Sequence, residues 1–201
     1  MTGMREPAKA MLLDFDGVLR HYDLAVSTAV EAKYGLEHGS LLAAGMAPQR
    51  YQPAMTGEWT RQEWLDAIAA ATGAPAEALA EWDAYRGYVD PEVLTFVREV
   101  RAAGIPVALC TNATADLDRD LAIHGLGGEF DAVVSSSAIG VCKPHPDYYK
   151  AACVAVKTVF RYCLLVDDAH RNVEGARRVG IAAFRWTGPG DLPYLKAALG
   201  L

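Results

Sequence analysis

Cysteine, positive charge and long apolar runs are all scarce in this chain, and each shortage excludes a class of protein. Among its 201 residues there are four cysteines, Cys110, Cys142, Cys153 and Cys163, with no C-x-x-C pair, so neither a disulfide framework nor a zinc site is expected. No run approaches the roughly 20 apolar residues of a membrane span. The first apolar stretch breaks at Asp14, too early for a signal-peptide core. We therefore expect a cytoplasmic protein with buried thiols and no membrane partner.

The shortage of positive charge argues against nucleic acid as a partner. Lysine and arginine number 19 against 25 acidic residues, for a formal charge of -6, whereas nucleic-acid binders carry a basic surface. A hydrophobic content of 52% excludes a disordered chain. The length fits one domain, or one domain with a modest insertion. Nothing in the sequence favours one oligomeric state.

Five short apolar runs are typical of strands that are buried on both faces. They span residues 10–13, 106–110, 130–134, 162–166 and 181–184, and polar or small residues follow most of them. Helical patterns at 91–103 and 171–179 lie between them, and each is followed by a glycine suited to a helix end. Strands that alternate with helices predict an α/β fold with a parallel sheet.

The stretch from about residue 20 to residue 89 has a different character. It is rich in alanine, contains Trp59, Trp64 and Trp82, and shows helical periodicity without a convincing strand. We expect an all-helical insertion after the first strand. Trp64 and Ile68, one helical turn apart, are expected in the core of that insertion.

Two pairs of aspartates follow predicted strands. Asp14 and Asp16 are two residues apart, so their carboxylates project to one side, and Asp167 and Asp168 follow another strand. Either pair has a simpler interpretation, a turn at Asp16-Gly17 or a helix cap in the second pair. Carboxylates this close are costly unless a cation holds them, and magnesium prefers such oxygens.

Three further polar residues follow predicted strands. Thr111 and Asn112 follow the run ending at Cys110, and Lys143 follows the run at 130–134. A cap or turn and a solvated loop lysine are the simpler alternatives. In an open α/β sheet, however, ligands gather outside the carboxyl ends of the strands. A magnesium ion beside a lysine would there form a receptor for an anion, and phosphate is the obvious candidate.

Taken in order, these residues resemble the four motifs of the haloacid dehalogenase superfamily of hydrolases. D-x-D-G-x-L matches Asp14 to Leu19, a threonine after an apolar strand matches Thr111, G-x-x-K-P matches the stretch around Lys143, and the acidic pair matches 167–168. The resemblance implies the phosphatase-like members with a small helical cap. Residues 1–19 and 89–201 would then form a Rossmann-like core, with residues 20–88 as the cap.

The resemblance also implies a role for each motif residue. Asp14 would be the nucleophile that forms an aspartyl-phosphate, and Asp16 the acid and then the base. Magnesium would be held by Asp14, the Asp16 carbonyl and Asp168, with Asp167 supporting or joining them. The phosphoryl oxygens would be held by Thr111, the backbone N–H of Asn112 and Lys143. The implied activity is magnesium-dependent hydrolysis of a small phosphorylated metabolite, a phosphate ester whose identity the motifs do not specify.

Three positions depart from the usual pattern of the family. Asn172 stands where a further aspartate is common, and His145 stands where an acidic residue is common. Arg20 stands where small or apolar residues are usual. It lies at the entrance to the cap, so contact with substrate and a solvated charge at the hinge are both open interpretations.

Four other functions compete with the phosphatase. Dehalogenases of the family lack the second carboxylate, which is present here as Asp16. A phosphomutase needs cationic cap residues, and arginines on helices are usually solvated; the available ones are Arg20, Arg50, Arg61 and Arg86. A non-catalytic binding module typically loses the nucleophile or the lysine, and this chain keeps both. A receiver-type signalling domain carries its phosphorylated aspartate after a middle strand and has no helical insertion.

Overall fold

The computed structural model describes residues 6–201, so the first five residues of the predicted core lie outside the described part of the chain. The strands are β1 (Ala10–Leu13), β2 (Arg20–His21), β3 (Tyr88–Val89), β4 (Val107–Thr111), β5 (Ala132–Ser135), β6 (Cys163–Asp167) and β7 (Ala182–Arg185). The helices are α1 (Leu24–Lys33), α2 (Ser40–Met46), α3 (Pro48–Met55), α4 (Arg61–Thr72), α5 (Ala76–Ala84), α6 (Pro91–Ala102), α7 (Leu117–Ile123), α8 (Ser136–Ile139), α9 (Pro146–Ala155), α10 (His170–Arg178) and α11 (Leu192–Leu199).

Five strands form one parallel sheet in the order β5-β4-β1-β6-β7. β1 lies at the centre, where Leu13 is in register with Leu109 of β4 and with Val166 of β6. All five predicted strands are present, with ends shifted by a residue or two. The α/β Rossmann-like fold is confirmed.

Helices cover both faces of the sheet, as expected for parallel strands. Along β1, Met11 and Leu13 belong to one hydrophobic cluster and Ala10 and Leu12 to the other, so alternate side chains serve opposite faces. Both predicted helices are present as α6 and α10. The carboxylate of Asp90 begins α6 by accepting a hydrogen bond from the Glu92 amide at 2.8 Å.

Helices α1 to α5 occupy the segment between β2 and β3 and form a hydrophobic cluster that also includes Cys142. Trp64 and Ile68 are buried in it, as the sequence predicts. The expectation of an all-helical insertion is wrong at its two ends, where β2 and β3 pair antiparallel, with Arg20 opposite Val89. The two connections to the sheet run side by side and pair their backbones, and strands of two residues are too short to show an alternating pattern.

Two further expectations from composition concern the cysteines and membrane-spanning segments. All four cysteines are free and buried, as expected. Within residues 6–201, none of the helices combines the length and the apolar character needed to span a bilayer.

Candidate active site

The carboxyl ends of the three central strands bring the motif residues to one edge of the sheet. Asp14 directly follows β1, Thr111 ends β4 and Asp167 ends β6. Because these strands are parallel and adjacent, their ends meet at the same edge. Lys143 lies in the loop between α8 and α9.

Lys143 lies at the centre of this group. Its Nζ is 2.7 Å from Asp14 Oδ1 and 2.7 Å from Asp167 Oδ2, and it donates a hydrogen bond to the Cys110 carbonyl at 2.8 Å. The residue is 3% exposed, so the alternative of a solvated loop lysine is wrong. Burial by itself would lower the pKa of Lys143, but the two carboxylates outweigh burial and raise the pKa.

Asp14 is buried, and its known contacts fall on one oxygen. Oδ1 accepts the Phe15 backbone N–H at 2.7 Å and contacts Lys143, which leaves Oδ2 without a donor among the described residues. Burial raises the pKa of Asp14 well above its usual range; Lys143 opposes this increase, and the charge of Asp167 adds to it. Asp14 Oδ2 is therefore available to react or to bind a cation.

The two acids of the second pair differ sharply in their surroundings. Asp167 is fully buried and accepts hydrogen bonds from the Asn172 side chain at 3.0 and 3.1 Å and from the Ala169 amide at 2.9 Å, besides its contact with Lys143. The alternative that one of these acids is the N-cap of the next helix is wrong, since Ala169 holds that position in α10. Asp167 instead has its hydrogen-bonding capacity filled by protein donors.

Asp168 is exposed, and no other described residue donates a hydrogen bond to its carboxylate. Partial burial and the charge of Asp167 raise its pKa. Its carboxylate lies against Gly17, where an added Cβ would be 2.3 Å from Asp168 Oδ2. The turn after the first motif therefore requires glycine, both for this close approach and for its φ of +87°. The alternative of a mere turn does not account for the close approach of Asp168.

The donor set fits a hard divalent cation. Oxygens of Asp14, Asp167 and Asp168 all lie within 4.8 Å of one another. Three carboxylates against the single ammonium of Lys143 leave a formal charge of -2, which a divalent cation with oxygen ligands would balance. Asp16 is outside this group.

Asn112 organises the loop that carries Lys143. Its Oδ1 accepts the Lys143 amide at 2.8 Å, and its Nδ2 donates to the Lys143 carbonyl at 3.1 Å and to the Tyr51 hydroxyl at 3.1 Å. The sequence predicts a use only for the backbone N–H of Asn112. Its side chain, by contrast, connects the lysine loop with helix α3. Neighbouring Thr111 is buried at the end of β4, so it is a strand residue and the cap or turn alternative is wrong for it.

Asp16 is paired with an arginine and not with Lys143. Its Oδ1 is 2.6 Å from Arg20 Nε and its Oδ2 is 3.0 Å from Arg20 Nη2. Arg20 is 3% exposed, so its interpretation as a solvated hinge charge is wrong. Arg86, in the loop between α5 and β3, is likewise buried, and Arg61, the first residue of α4, is bound to Asp83 at 2.6 Å, so neither of these arginines is simply solvated.

Three residues of the site were missed or left without a role by the sequence. Asn172 binds Asp167 in place of the further aspartate, which its position five residues after Asp167 could have indicated. Tyr51 contacts Asn112, and no local signal distinguishes it from other aromatic residues of the insertion. His145 is the N-cap of α9, and its Nδ1 accepts a hydrogen bond from the Asp147 amide at 3.2 Å.

Known hydrolases are similar to this chain over most of its length. The family model of haloacid dehalogenase-like hydrolases matches residues 8–180. A phosphoserine phosphatase of Thermus thermophilus is 31% identical over 147 residues, which are 70% of this chain and 59% of that protein. The chain thus spans about three fifths of the length of that relative.

Two solved structures illustrate the range of the fold. A haloacid dehalogenase family enzyme of Bacteroides thetaiotaomicron, in complex with magnesium and inorganic phosphate, has a TM-score of 0.75 at 18% identity, covering 90% of this chain and 94% of its own. An L-2-haloacid dehalogenase of Xanthobacter autotrophicus, with chloropropionic acid covalently bound, has a TM-score of 0.68 at 26% identity, covering 89% and 77%. The chain belongs to the haloacid dehalogenase-like hydrolases.

Proposed function

We propose that this protein is a magnesium-dependent phosphatase that hydrolyses a small phosphorylated metabolite through an aspartyl-phosphate. The observation that carries the proposal is the Lys143 ammonium held 2.7 Å from both Asp14 and Asp167, beside the exposed Asp168. This group combines a carboxylate with a free oxygen, a fixed cation for phosphoryl oxygens and a receptor for a divalent ion. The similarity to a phosphatase supports the same reaction class.

Asp14 is the nucleophile in this proposal. Its Oδ2 attacks phosphorus, the new bond joins that oxygen to phosphorus, and the ester bond to the leaving oxygen breaks. The contacts on Oδ1 fix the carboxylate, so its second oxygen is presented in one direction. Lys143 and Thr111 hold phosphoryl oxygens, and the ammonium stabilises the charge that builds up on them.

Asp16 protonates the leaving oxygen and then takes a proton from the water that hydrolyses the aspartyl-phosphate. Water attacks phosphorus, the bond from Asp14 breaks, and inorganic phosphate leaves. A halide needs no proton to depart, so Asp16 favours a phosphate ester over a haloacid as substrate. This separates the proposal from the activity named for the Xanthobacter autotrophicus structure.

The metal is held by Asp14, Asp168 and the backbone carbonyl of Asp16, with Asp167 in support. Asp167 already receives protein hydrogen bonds on both oxygens, whereas Asp168 receives none from another described residue. Asp168 is therefore the acid of the pair with oxygens free for direct coordination. When bound, magnesium supplies neutralisation of phosphoryl charge.

Residues 20–88 act as a cap over this site, and the rest of the chain as the core. Two contacts between these two parts support the assignment. Tyr51 on α3 accepts a hydrogen bond from Asn112, and Gly57 lies so close to Ser137 that an added Cβ would be 2.5 Å from its carbonyl oxygen. A cap in this position excludes water during phosphoryl transfer.

Phosphate release tests the proposal directly. Purified protein is given 4-nitrophenyl phosphate and a panel of small phosphate esters, with magnesium and with a chelator, and inorganic phosphate is measured. We expect turnover only with magnesium. Asp14→Asn should abolish it, while Asp66→Asn, the same change on the exposed face of α4, should leave it intact.

Three results would contradict the proposal in different ways. No turnover of any ester would favour a binding module on the same fold. Chloride release from 2-chloropropionate would favour a dehalogenase. Transfer of the phosphoryl group to a second position of the substrate, with little free phosphate, would favour a phosphomutase.

A further inference from the structure

Arg20 is a buried arginine at the first connection between the sheet and the cap segment. Three of its N–H groups are used by two carboxylates: Nε and Nη2 bind Asp16, and Nη1 binds Asp120 Oδ2 at 2.6 Å. Its guanidinium also lies 4.1 Å from the centre of the Phe15 ring and 5.1 Å from that of Tyr22. The guanidinium is therefore held from several directions.

Arg20 in turn fixes the orientation of Asp16. The Asp16 side chain is 41% exposed, and among the described residues Arg20 alone donates hydrogen bonds to it. An exposed aspartate otherwise samples several staggered rotamers. Two parallel N–H···O contacts from a planar guanidinium select one of them, which a single ammonium cannot do.

We propose that Arg20 is a positioning residue for proton transfer by Asp16, an inference that rests on the proposed phosphatase activity. In the step concerned, the ester bond to phosphorus breaks and its electron pair stays on the leaving oxygen. The proton of the Asp16 carboxyl passes to that oxygen, while Asp14 forms the new bond to phosphorus. The transfer depends on geometry, because the donor must lie within hydrogen-bond reach of the leaving oxygen.

Asp120 completes the arrangement. It pairs with the same guanidinium, so Arg20 keeps a counter-ion whichever protonation state the reaction gives Asp16. Asp120 is held from its other oxygen by Arg86 Nη1 at 3.0 Å. Arg86 is as deeply buried as Arg20 and shares Asp120, but within residues 6–201 its ion pairs are with Asp83, Asp116 and Asp120 and not with Asp16. Arg86 is thus a matched control for the loss of a buried arginine.

The test compares two leaving groups on one preparation of each variant. The substrates are 4-nitrophenyl phosphate, whose leaving anion is stable without a proton, and the best alkyl phosphate from the panel, whose alkoxide is not. The ratio of kcat/KM for the aryl ester to that for the alkyl ester reports the need for the acid. Any unfolded fraction cancels, because both values come from the same protein.

General acid catalysis contributes about 100- to 10,000-fold, so Asp16→Asn should raise this ratio by that order. Arg20→Gln should raise it about tenfold, as a partial loss of the same effect. Arg20→Lys should recover part of the loss, since it keeps one donor and the charge. Arg86→Gln should leave the ratio unchanged even if it lowers both rates, and Arg20→Gln should add nothing in the Asp16→Asn background.

The inference is overturned if Arg20→Gln lowers both values of kcat/KM equally, or if it favours the alkyl ester. Equal loss would mean a structural role only, and a gain on the alkyl ester would mean that Arg20 restrains Asp16. A wild-type protein that hydrolyses neither ester overturns the proposed function and this inference together. Wild-type turnover with an unchanged ratio in Arg20→Gln overturns this inference alone.

Discussion

Replacing Lys143 by methionine should destabilise the metal-free protein strongly. Methionine fills much of the same volume but removes the cation between Asp14 and Asp167, and it leaves the Cys110 carbonyl without its donor. Removing one partner of a buried ion pair costs about 3–5 kcal/mol, because an uncompensated charge stays in the interior. For a domain of this size, each kcal/mol shifts Tm by about 2–4 °C. The expected fall in Tm is therefore about 6–20 °C.

The pH dependence of this loss has a definite sign. Burial already raises the pKa of Asp14 above 3.8, and loss of Lys143 removes the strongest opposing contribution. The folded state then binds a proton more tightly than the unfolded chain, so its stability falls as the pH rises above that ordinary value. The difference between wild type and Lys143→Met should be smallest near about pH 4 and grow toward neutral pH.

Urea unfolding followed by circular dichroism, in the presence of a chelator, measures this difference. Lys33→Met is the matched control: its Nζ is 2.6 Å from Glu81, but the pair is exposed, and stability should change little. In the Asp14→Asn background, Lys143→Met should lower the free energy of unfolding by less, because only the Asp167 carboxylate then loses its cation. A loss below about 1 kcal/mol, or one independent of pH, would refute the charge argument.

Three further predictions concern the metal and the cap. Gly17→Ala should weaken magnesium binding about 10- to 100-fold by calorimetry, because the new Cβ would displace Asp168; an unchanged affinity would contradict the inference that Asp168 must lie against Gly17 to bind the ion. Magnesium at 100 times its Kd should raise the free energy of unfolding by about 2.7 kcal/mol, and Asp168→Asn should abolish most of that gain. Gly57→Ala should raise KM by pushing against Ser137, whereas Gly73→Ala, with a similar positive φ and no atom within 4 Å, should strain the backbone without affecting KM.

The parts of the fold that the sequence predicts are those that local patterns determine. The run at 10–13 is apolar throughout because both faces of β1 are covered, and it ends where Asp14 begins the site. Helix α6 is bounded by a capping Asp90 and by the glycine after its end, and its apolar positions repeat at helical spacing. Each of these signals lies within about a dozen residues, so no knowledge of tertiary contacts is needed.

The parts that the sequence does not predict depend on partners far away along the chain. Arg20 and Asp120 are 100 positions apart, and Arg86 lies 34 positions from Asp120. Each residue alone has the properties of a surface charge, since arginine and aspartate are rarely buried without a partner. Only the packing of α7 against the two connections to the cap segment turns them into a buried network.

The aspartates near the first motif thus fall into two groups, which differ in how much positive charge lies beside them. Around Arg20, the linked ion pairs join four carboxylates, Asp16, Asp83, Asp116 and Asp120, to three arginines, Arg20, Arg61 and Arg86, so this group is short of positive charge by only one unit. Around Lys143, three carboxylates share one ammonium, so the group is short of positive charge by two units. Asp16 is two residues from Asp14 in the chain but belongs to the group paired with arginines. In a phosphatase with this arrangement, an arginine of the protein would hold the proton donor Asp16 in place. The nucleophile Asp14 and its neighbouring carboxylates would be balanced in charge only once a cation binds.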